Sequence, residues 1–346
     1  MIVGRNQQGR TLVILMVLMA ILASTLTGCS RDKGTADTGN IPAVRLITDS
    51  AGRQVEVPLD PQRIACTCPE AGYALALYGK GDRIAATTDG MQRDVILTEM
   101  YPNLKGLPVP KKGGAINIEE LIRIKADLIF VKADTINNEA VMEKLSQAKI
   151  PVVAVEYTSI EEQLNAMQMM AVIVGAEDEG RRYRQFYQQI MDMVQARVAA
   201  IPDDNRVTVY HSSQEATRTD SLNTLAADWT KAAGVENVSV GQDLKLSEGD
   251  YYASLEQILL WDPDYILLNN PDVVGYIKGH EQWRPLQAVK NNRVLPLTRV
   301  VAANIRTSDF PLGPSQFPGD PPCHSLDCED GLSGIVCGYR YISYNP

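Results

Sequence analysis

The sequence predicts an α/β protein: two Rossmann-like lobes, each on a parallel sheet, joined by a single long α-helix, with a cleft between the lobes. Three observations lead there. Short apolar strands alternate with amphipathic helices, the pattern of a parallel sheet. Near the middle of the 346 residues two helices follow each other with no strand between them, and one motif occurs twice.

The elements justify the class in chain order. Val44–Leu46 and Val55–Val57 flank Asp49-Ser50-Ala51-Gly52, a hairpin with a glycine in its turn. Arg63–Cys66 reads as a strand, Ala71–Tyr78 as a helix stopped by Gly79, and Arg83–Ala86 as a strand. Ile118–Lys125 and Asn138–Gln147 read as helices, each followed by a strand, Asp127–Val131 and Val152–Val155. Ile160, Leu164, Met167, Ala171 and Val174 recur at helical steps until Gly175. A second helix from Glu177 to Ala200 carries Tyr183, Phe186, Ile190, Met193 and Val198 on one stripe, and would be ~36 Å long at 1.5 Å per residue. Such a strut limits lobe movement. Alternation resumes with Val207–Tyr210 (strand), Leu222–Ala233 and Leu255–Trp261 (helices), Tyr265–Leu268 and Val294–Leu297 (strands).

The repeat is the most informative feature. Asn117-Ile-Glu119-Glu-Leu-Ile-Arg-Ile-Lys-Ala-Asp127-Leu-Ile129 and Ser254-Leu-Glu256-Gln-Ile-Leu-Leu-Trp-Asp-Pro-Asp264-Tyr-Ile266 share a cap, a glutamate and a later aspartate leading into a strand. Both have capping-box form, pairing Asn117 with Glu120 and Ser254 with Gln257. The lobes therefore read as copies of one fold. With the third helical residue folded back on the cap, Glu119 and Glu256 point outward, one on each lobe, where a two-fold partner with basic pockets could grip them. The plainer role for each is to complement the helix dipole, worth ~0.3–1 kcal/mol.

Composition narrows the function classes. The apolar fraction of 45% and charged fraction of 22% suit a packed globular chain. A formal net charge of −9 argues against nucleic acid, which favours a basic stripe. Arg5 and Arg10 precede an apolar run from Leu12 to Leu26, too short for a comfortable span of ~20 residues, as in a signal peptide. The run ends in Leu26-Thr27-Gly28-Cys29, which resembles a bacterial lipobox whose cysteine is lipidated. Removal of the two arginines takes −9 to −11, an acidic protein tethered outside the cytoplasmic membrane. The expected organisation is signal peptide 1–28, lipidated flexible tether 29–40, first lobe 41–159, helical connector 160–201 and second lobe 202–313.

Ligands of open α/β sheets lie beyond the carboxyl ends of the strands. Those positions offer Cys66, Thr67 and Cys68, the stretch from Thr87 to Arg93, Lys132 and Tyr157 in the first lobe. The second lobe offers His211, Ser212, Arg218, Asn269 to Pro271, and the stretch from Arg299 to Arg306. Arg93, Arg218, Arg299 and Arg306 suit carboxylates, because guanidinium binds them bidentately. Tyr157 and His211 suit iron, or His211 a corrin; a histidine at a strand end serves equally as a hydrogen-bonded structural residue. Cys66-x-Cys68 is a weak metal signal, and no His/Cys/carboxylate cluster reaches the ligand count of a structural or catalytic metal site. Nucleotide-binding loops, the nucleophile elbow and the zinc-protease helix motif are all missing, so no catalysis and no resident cofactor is expected.

The lipobox, the long connecting helix and the paired Asn117-Ile-Glu119 and Ser254-Leu-Glu256 motifs resemble the iron-siderophore, haem and cobalamin binding proteins of ABC importers, over roughly 41–313. The resemblance implies that Glu119 and Glu256 make salt bridges to permease arginines. The motifs are specific for the family but weak on ligand; a ferric siderophore or haem is expected first, a corrinoid second and a simple metal or oxyanion third. Two rivals stay open: an extracytoplasmic chelate-processing enzyme using His211, and a sensor reporting to a membrane receptor. From Pro314 the character changes, with four prolines by Pro322 and then Cys323, Cys328 and Cys337. That tail, 314–346, is expected to be aberrant or disordered, as from a frameshift that removed the closing helix of the second lobe; a genuine Pro-rich, disulfide-bearing extension is the alternative.

Overall fold

The computed structural model describes residues 43–202, 205–247 and 249–297. The chain opens with the antiparallel hairpin of β1 (Val44–Thr48) and β2 (Gln54–Pro58). Its turn is organised by the buried carboxylate of Asp49, whose Oδ1 accepts from Ala51 N at 3.0 Å and Arg53 N at 2.9 Å. Gly52, at φ 75°, supplies the left-handed position that turn needs.

The first lobe continues with β3 (Ile64–Cys66), α1 (Pro69–Leu77), β4 (Ile84–Ala86), α2 (Asp89–Gln92) and α3 (Val95–Met100). A short hairpin of β5 (Lys111–Lys112) and β6 (Ala115–Ile116) leads into α4 (Ile118–Arg123) and β7 (Leu128–Val131). Then come α5 (Ala133–Ile136), α6 (Glu139–Gln147) and β8 (Val152–Ala154). The sheet is parallel in the order β4-β3-β7-β8. All its residues are buried, which is why the strands read as unbroken apolar runs. Phe130 faces a core with Leu75, Met170 and Tyr183, whereas Ile129 and Val131 face Leu121 and Leu145. Helices thus cover both faces.

Two helices follow without a strand, α7 (Ile160–Ile173) and α8 (Glu177–Val198), parted by Gly175 at φ 65°. The long helix touches both lobes. A Cβ on Gly180 near its start would lie 2.6 Å from Ala171 Cβ, and at its end Val198 packs on Gly234 of the second lobe.

The second lobe runs β9 (Thr208–Ser212), β10 (Arg218–Thr219), α9 (Leu225–Ala232), β11 (Glu236–Asn237), β12 (Lys245–Ser247) and β13 (Asp250–Tyr252). It continues with α10 (Leu255–Trp261), β14 (Tyr265–Leu268), α11 (Asp272–Gly279), α12 (Gln287–Lys290) and β15 (Val294–Pro296). Its main sheet is parallel in the order β11-β9-β14-β15. In each lobe the strand order is therefore second, first, third, fourth, so the repeat seen in the sequence is a repeat of topology.

Several elements depart from the sequence expectation. The antiparallel sheet β10-β13-β12, the edge strand β11 and helices α2, α3, α5, α11 and α12 were not expected. Most are too short to develop a period; α11 begins just after Asn270-Pro271, which reads as a turn. The capping boxes are also unequal. Ser254 and Gln257 form the full reciprocal box. Asn117 accepts from Glu120 N at 3.0 Å, but its own N–H is taken by Pro110 O and the Glu120 carboxylate turns to Arg123 instead. The signal peptide, the tether with Cys29 and the tail 314–346 lie outside the described residues.

Candidate functional site

At the carboxyl edge of the first sheet, β3, β7 and β8 deliver a connected polar cluster. Thr67, just past β3, donates its hydroxyl to Phe130 O at 2.7 Å. Glu70, in the first turn of α1, is 5% exposed. Lys132, just past β7, places Nζ 2.7 Å from Glu70 Oε1 and 3.9 Å from Glu156 Oε2. The same ammonium stands 5.0 Å over the ring of Tyr157, just past β8. Burial works against the lysine charge, but the two carboxylates more than offset it, and its pKa rises. Glu70 Oε2 is buried with no hydrogen-bond partner among the described residues. Lys132 and Tyr157 were expected here; Glu70 and Glu156 were not, because the pairing joins residues distant in sequence.

The thiols and the phenol at this edge, expected as metal candidates, are all held in their neutral form. Burial, and then the Glu70 carboxylate, pushes the Tyr157 phenol well above its ordinary range. Burial likewise raises the Cys66 thiol, and burial followed by Glu70 raises Cys68. In the metal-free protein burial thus favours the protonated form of all three groups. Among the described residues no group of three or more His, Cys, Asp or Glu side chains is placed to hold a metal ion.

In the second lobe His211 lies inside β9 rather than after it, and is 2% exposed. Its Nδ1 is 2.5 Å from Asp220 Oδ2 and its Nε2 is 2.9 Å from Asn269 Oδ1. Both ring nitrogens are thus engaged with oxygen acceptors, and none is left for iron or a corrin. Trp229 of α9 meets the imidazole edge-on at 5.4 Å between centroids. Arg218, in β10, is held by Asp250 of the neighbouring strand. Arg93, capping α2, is exposed. Among the described residues no hydrogen bond or ion pair joins Arg93 or Tyr157 to His211 or Arg218. Arg299 and Arg306 lie outside the described residues.

The lobes meet through α9. Asp228 Oδ2 accepts from Ile160 N at 2.8 Å, so a second-lobe carboxylate caps the first turn of α7. Beside that bond lies a pocket of about 480 Å³, where Thr158 and Ser159 face Asn223, Lys231 and Gln242. Among the described residues, none of those expected to bind ligand lines it.

Glu119 and Glu256 occupy equivalent places, each in the first turn of the helix feeding the third sheet strand of its lobe. Both are exposed and neither makes an ion pair among the described residues.

A family model described as periplasmic binding protein matches residues 75–300, from the end of α1 past β15. The chain belongs to the periplasmic binding protein family. The resemblance read from the paired motifs holds at that level, and the protein is a periplasmic binding protein that works outside the cytoplasm. No helix among the described residues is long and apolar enough to cross a membrane. A curated relative is the molybdate-binding protein MolA of Haemophilus influenzae, 23% identical over 276 residues, or 73% of this chain and 77% of that protein. The structure of MolA bound to molybdate matches with TM-score 0.65 and 21% identity, covering 73% of this chain and 83% of that one. CeuE of Helicobacter pylori, solved as a nickel–histidine complex, matches with TM-score 0.64 and 15% identity over 77% and 88%. The vitamin B12 binding protein BtuF of Vibrio cholerae matches with TM-score 0.57 and 20% identity over 73% and 94%. These likenesses place this periplasmic binding protein in a fold shared by carriers of quite different solutes.

Proposed function

We propose that this periplasmic binding protein is a lipoprotein, anchored through Cys29, that captures an anionic metal chelate of ferric-siderophore or haem type for an ABC importer. Glu119 and Glu256 dock it on the permease dimer. The observation that carries this reading is the pair itself: two exposed carboxylates, without an ion pair among the described residues, at one position of a duplicated lobe. A dimeric permease with one basic pocket per subunit needs two equivalent anchors. A chelate is favoured over a bare oxyanion because Lys132 is saturated by its own carboxylates and Arg218 by Asp250. Arg93, with Arg299 and Arg306, is then left to grip the carboxylate rim of a bulky ligand, and Tyr157 to pack against it.

A second reading is an oxyanion, favoured by the likeness to MolA. Native mass spectrometry and absorption spectroscopy of the protein from iron-limited cells separate the two. A bound chromophore supports the chelate, and a colourless protein that binds molybdate in calorimetry sinks it. The docking role predicts that Glu119→Ala with Glu256→Ala abolishes uptake while solute affinity stays unchanged. Unchanged uptake would instead support a sensor.

A further inference from the structure

The repeated unit that carries Glu119 and Glu256 is longer than its helix. In each lobe an antiparallel hairpin, β5–β6 or β12–β13, runs into the capping residue. Leu121 and Ile258, at matched positions, are both fully buried. Each helix ends in a left-handed non-glycine residue, Lys125 at φ 53° and Asp262 at φ 41°. The outward face repeats in character but not residue by residue, since Ile122 aligns with the half-buried Leu259 and Leu260 with Arg123. Three residues after Glu119 stands Ile122, 54% exposed; four after Glu256 stands Leu260, 84% exposed, the most exposed large apolar side chain among the described residues. Steps of three and four place each aliphatic on the same helix face as its carboxylate.

We propose that Ile122 and Leu260 are the apolar halves of two docking pads, each carboxylate and aliphatic entering one basic, apolar-rimmed pocket of the membrane permease. This rests on the docking role of Glu119 and Glu256. Charge complementarity selects that occupant: Glu256 has no ion pair among the described residues, and α10 contains no lysine or arginine. An anionic lipid surface repels such a pad, whereas a basic protein pocket attracts it. The pads are not equal. Arg123, bound to Glu120 at 2.5 Å, stands where the second lobe has Leu260, so the first pad is the more polar and the second the more apolar. The second pad therefore contributes more of the apolar contact.

The test uses the full chain in the cell that makes it, with the photo-cross-linker p-benzoylphenylalanine in place of Leu260 or Ile122. The expected result is a light-dependent product with a multi-spanning membrane protein from both sites. Formaldehyde cross-linking of the chain without photoprobe reports docking separately. Glu119→Ala with Glu256→Ala should abolish that product, and Leu260→Ser should lower it about fivefold or more, as for truncation of a central apolar interface residue. Ile122→Ser should have the smaller effect. If the glutamate variants abolish the formaldehyde product but the photoprobes label no membrane protein, the pads are overturned and the docking role stands. If the glutamate variants leave it unchanged, the docking role itself fails. Photoproducts confined to residues 298–346 of the same chain, to a second copy or to lipid overturn the proposal, since another occupant then covers the face.

Discussion

His211 Nδ1 and Asp220 Oδ2 stand 2.5 Å apart, both side chains nearly sealed from water. Asn237 Nδ2 reaches the same Asp220 oxygen at 3.4 Å, Asn269 takes the far nitrogen of the ring, and Trp229 closes its edge. Burial works against a charged imidazole here, but the Asp220 charge and the hydrogen bonds the ring donates to Asp220 and Asn269 outweigh it, and the histidine pKa is raised. A raised value means the stabilisation is fully present below the unfolded pKa of ~6.5 and is lost as pH rises through the folded value. The melting temperature should therefore fall as pH climbs from about 6.5, and Asp220→Asn should flatten that slope. A melting temperature that rises across this window in the native protein would sink the ion-pair assignment. His211→Ala should cost about 3–5 kcal/mol, because it strands a buried carboxylate.

Cys66 and Cys68 yield a simpler prediction. Both are essentially unexposed free thiols, and burial keeps each protonated. A maleimide should leave both unmodified in the folded protein and label both in denaturant, as read by peptide mapping. Rapid native labelling of either would place it at an open ligand surface instead.

How much of this was legible in the sequence differs between fold and site. The parallel strands could be read because each is wholly buried, so Leu128–Val131 and Tyr265–Leu268 appear as unbroken apolar runs between turn residues. Strand β11 could not, since Glu236 and Asn237 have no apolar signature and pair only because β9 lies beside them. The exposure of Glu119 and Glu256 was legible because each sits in the first turn of a capped helix, although Glu120 does not fold back onto Asn117. Glu70 and Asp220 were not: their partners Lys132 and His211 reach them only after the strands are in register, and spacing alone carries no trace of that.

Gly234 marks the junction of connector and second lobe. Its φ is 72°, and an added Cβ would lie 2.4 Å from Val198 Cγ1. Gly234→Ala combines left-handed strain with overpacking and should cost about 2–3 kcal/mol in chemical denaturation. Adding Val198→Ala should recover the overpacking share and leave the backbone share. Full recovery by that second change would show that the conformation itself costs nothing.

Asp127 and Asp264 do equivalent work at the feet of the two sheets. Asp127 Oδ2 accepts from Gln62 N at 2.7 Å and its Oδ1 from Arg63 N at 3.0 Å, fixing the entry to β3. Asp264 Oδ2 accepts from Thr208 N at 2.9 Å and from Thr208 Oγ1 at 3.0 Å, fixing the start of β9. In both lobes the aspartate that precedes the third sheet strand thus holds the first, which explains why the repeat keeps an acid there. Hydrogen bonds to a charged acceptor are worth about 1.5–3 kcal/mol, so Asp127→Ala and Asp264→Ala should each destabilise by that order. Asparagine should recover only part of it, since the charge is lost. Hydrogen exchange separates the lobes: Asp127→Ala should speed exchange in β3 and β7, and Asp264→Ala in β9 and β14. Equal acceleration across all four strands from either variant would mean that the lobes open as one unit and that the long helix transmits the loss from one sheet to the other.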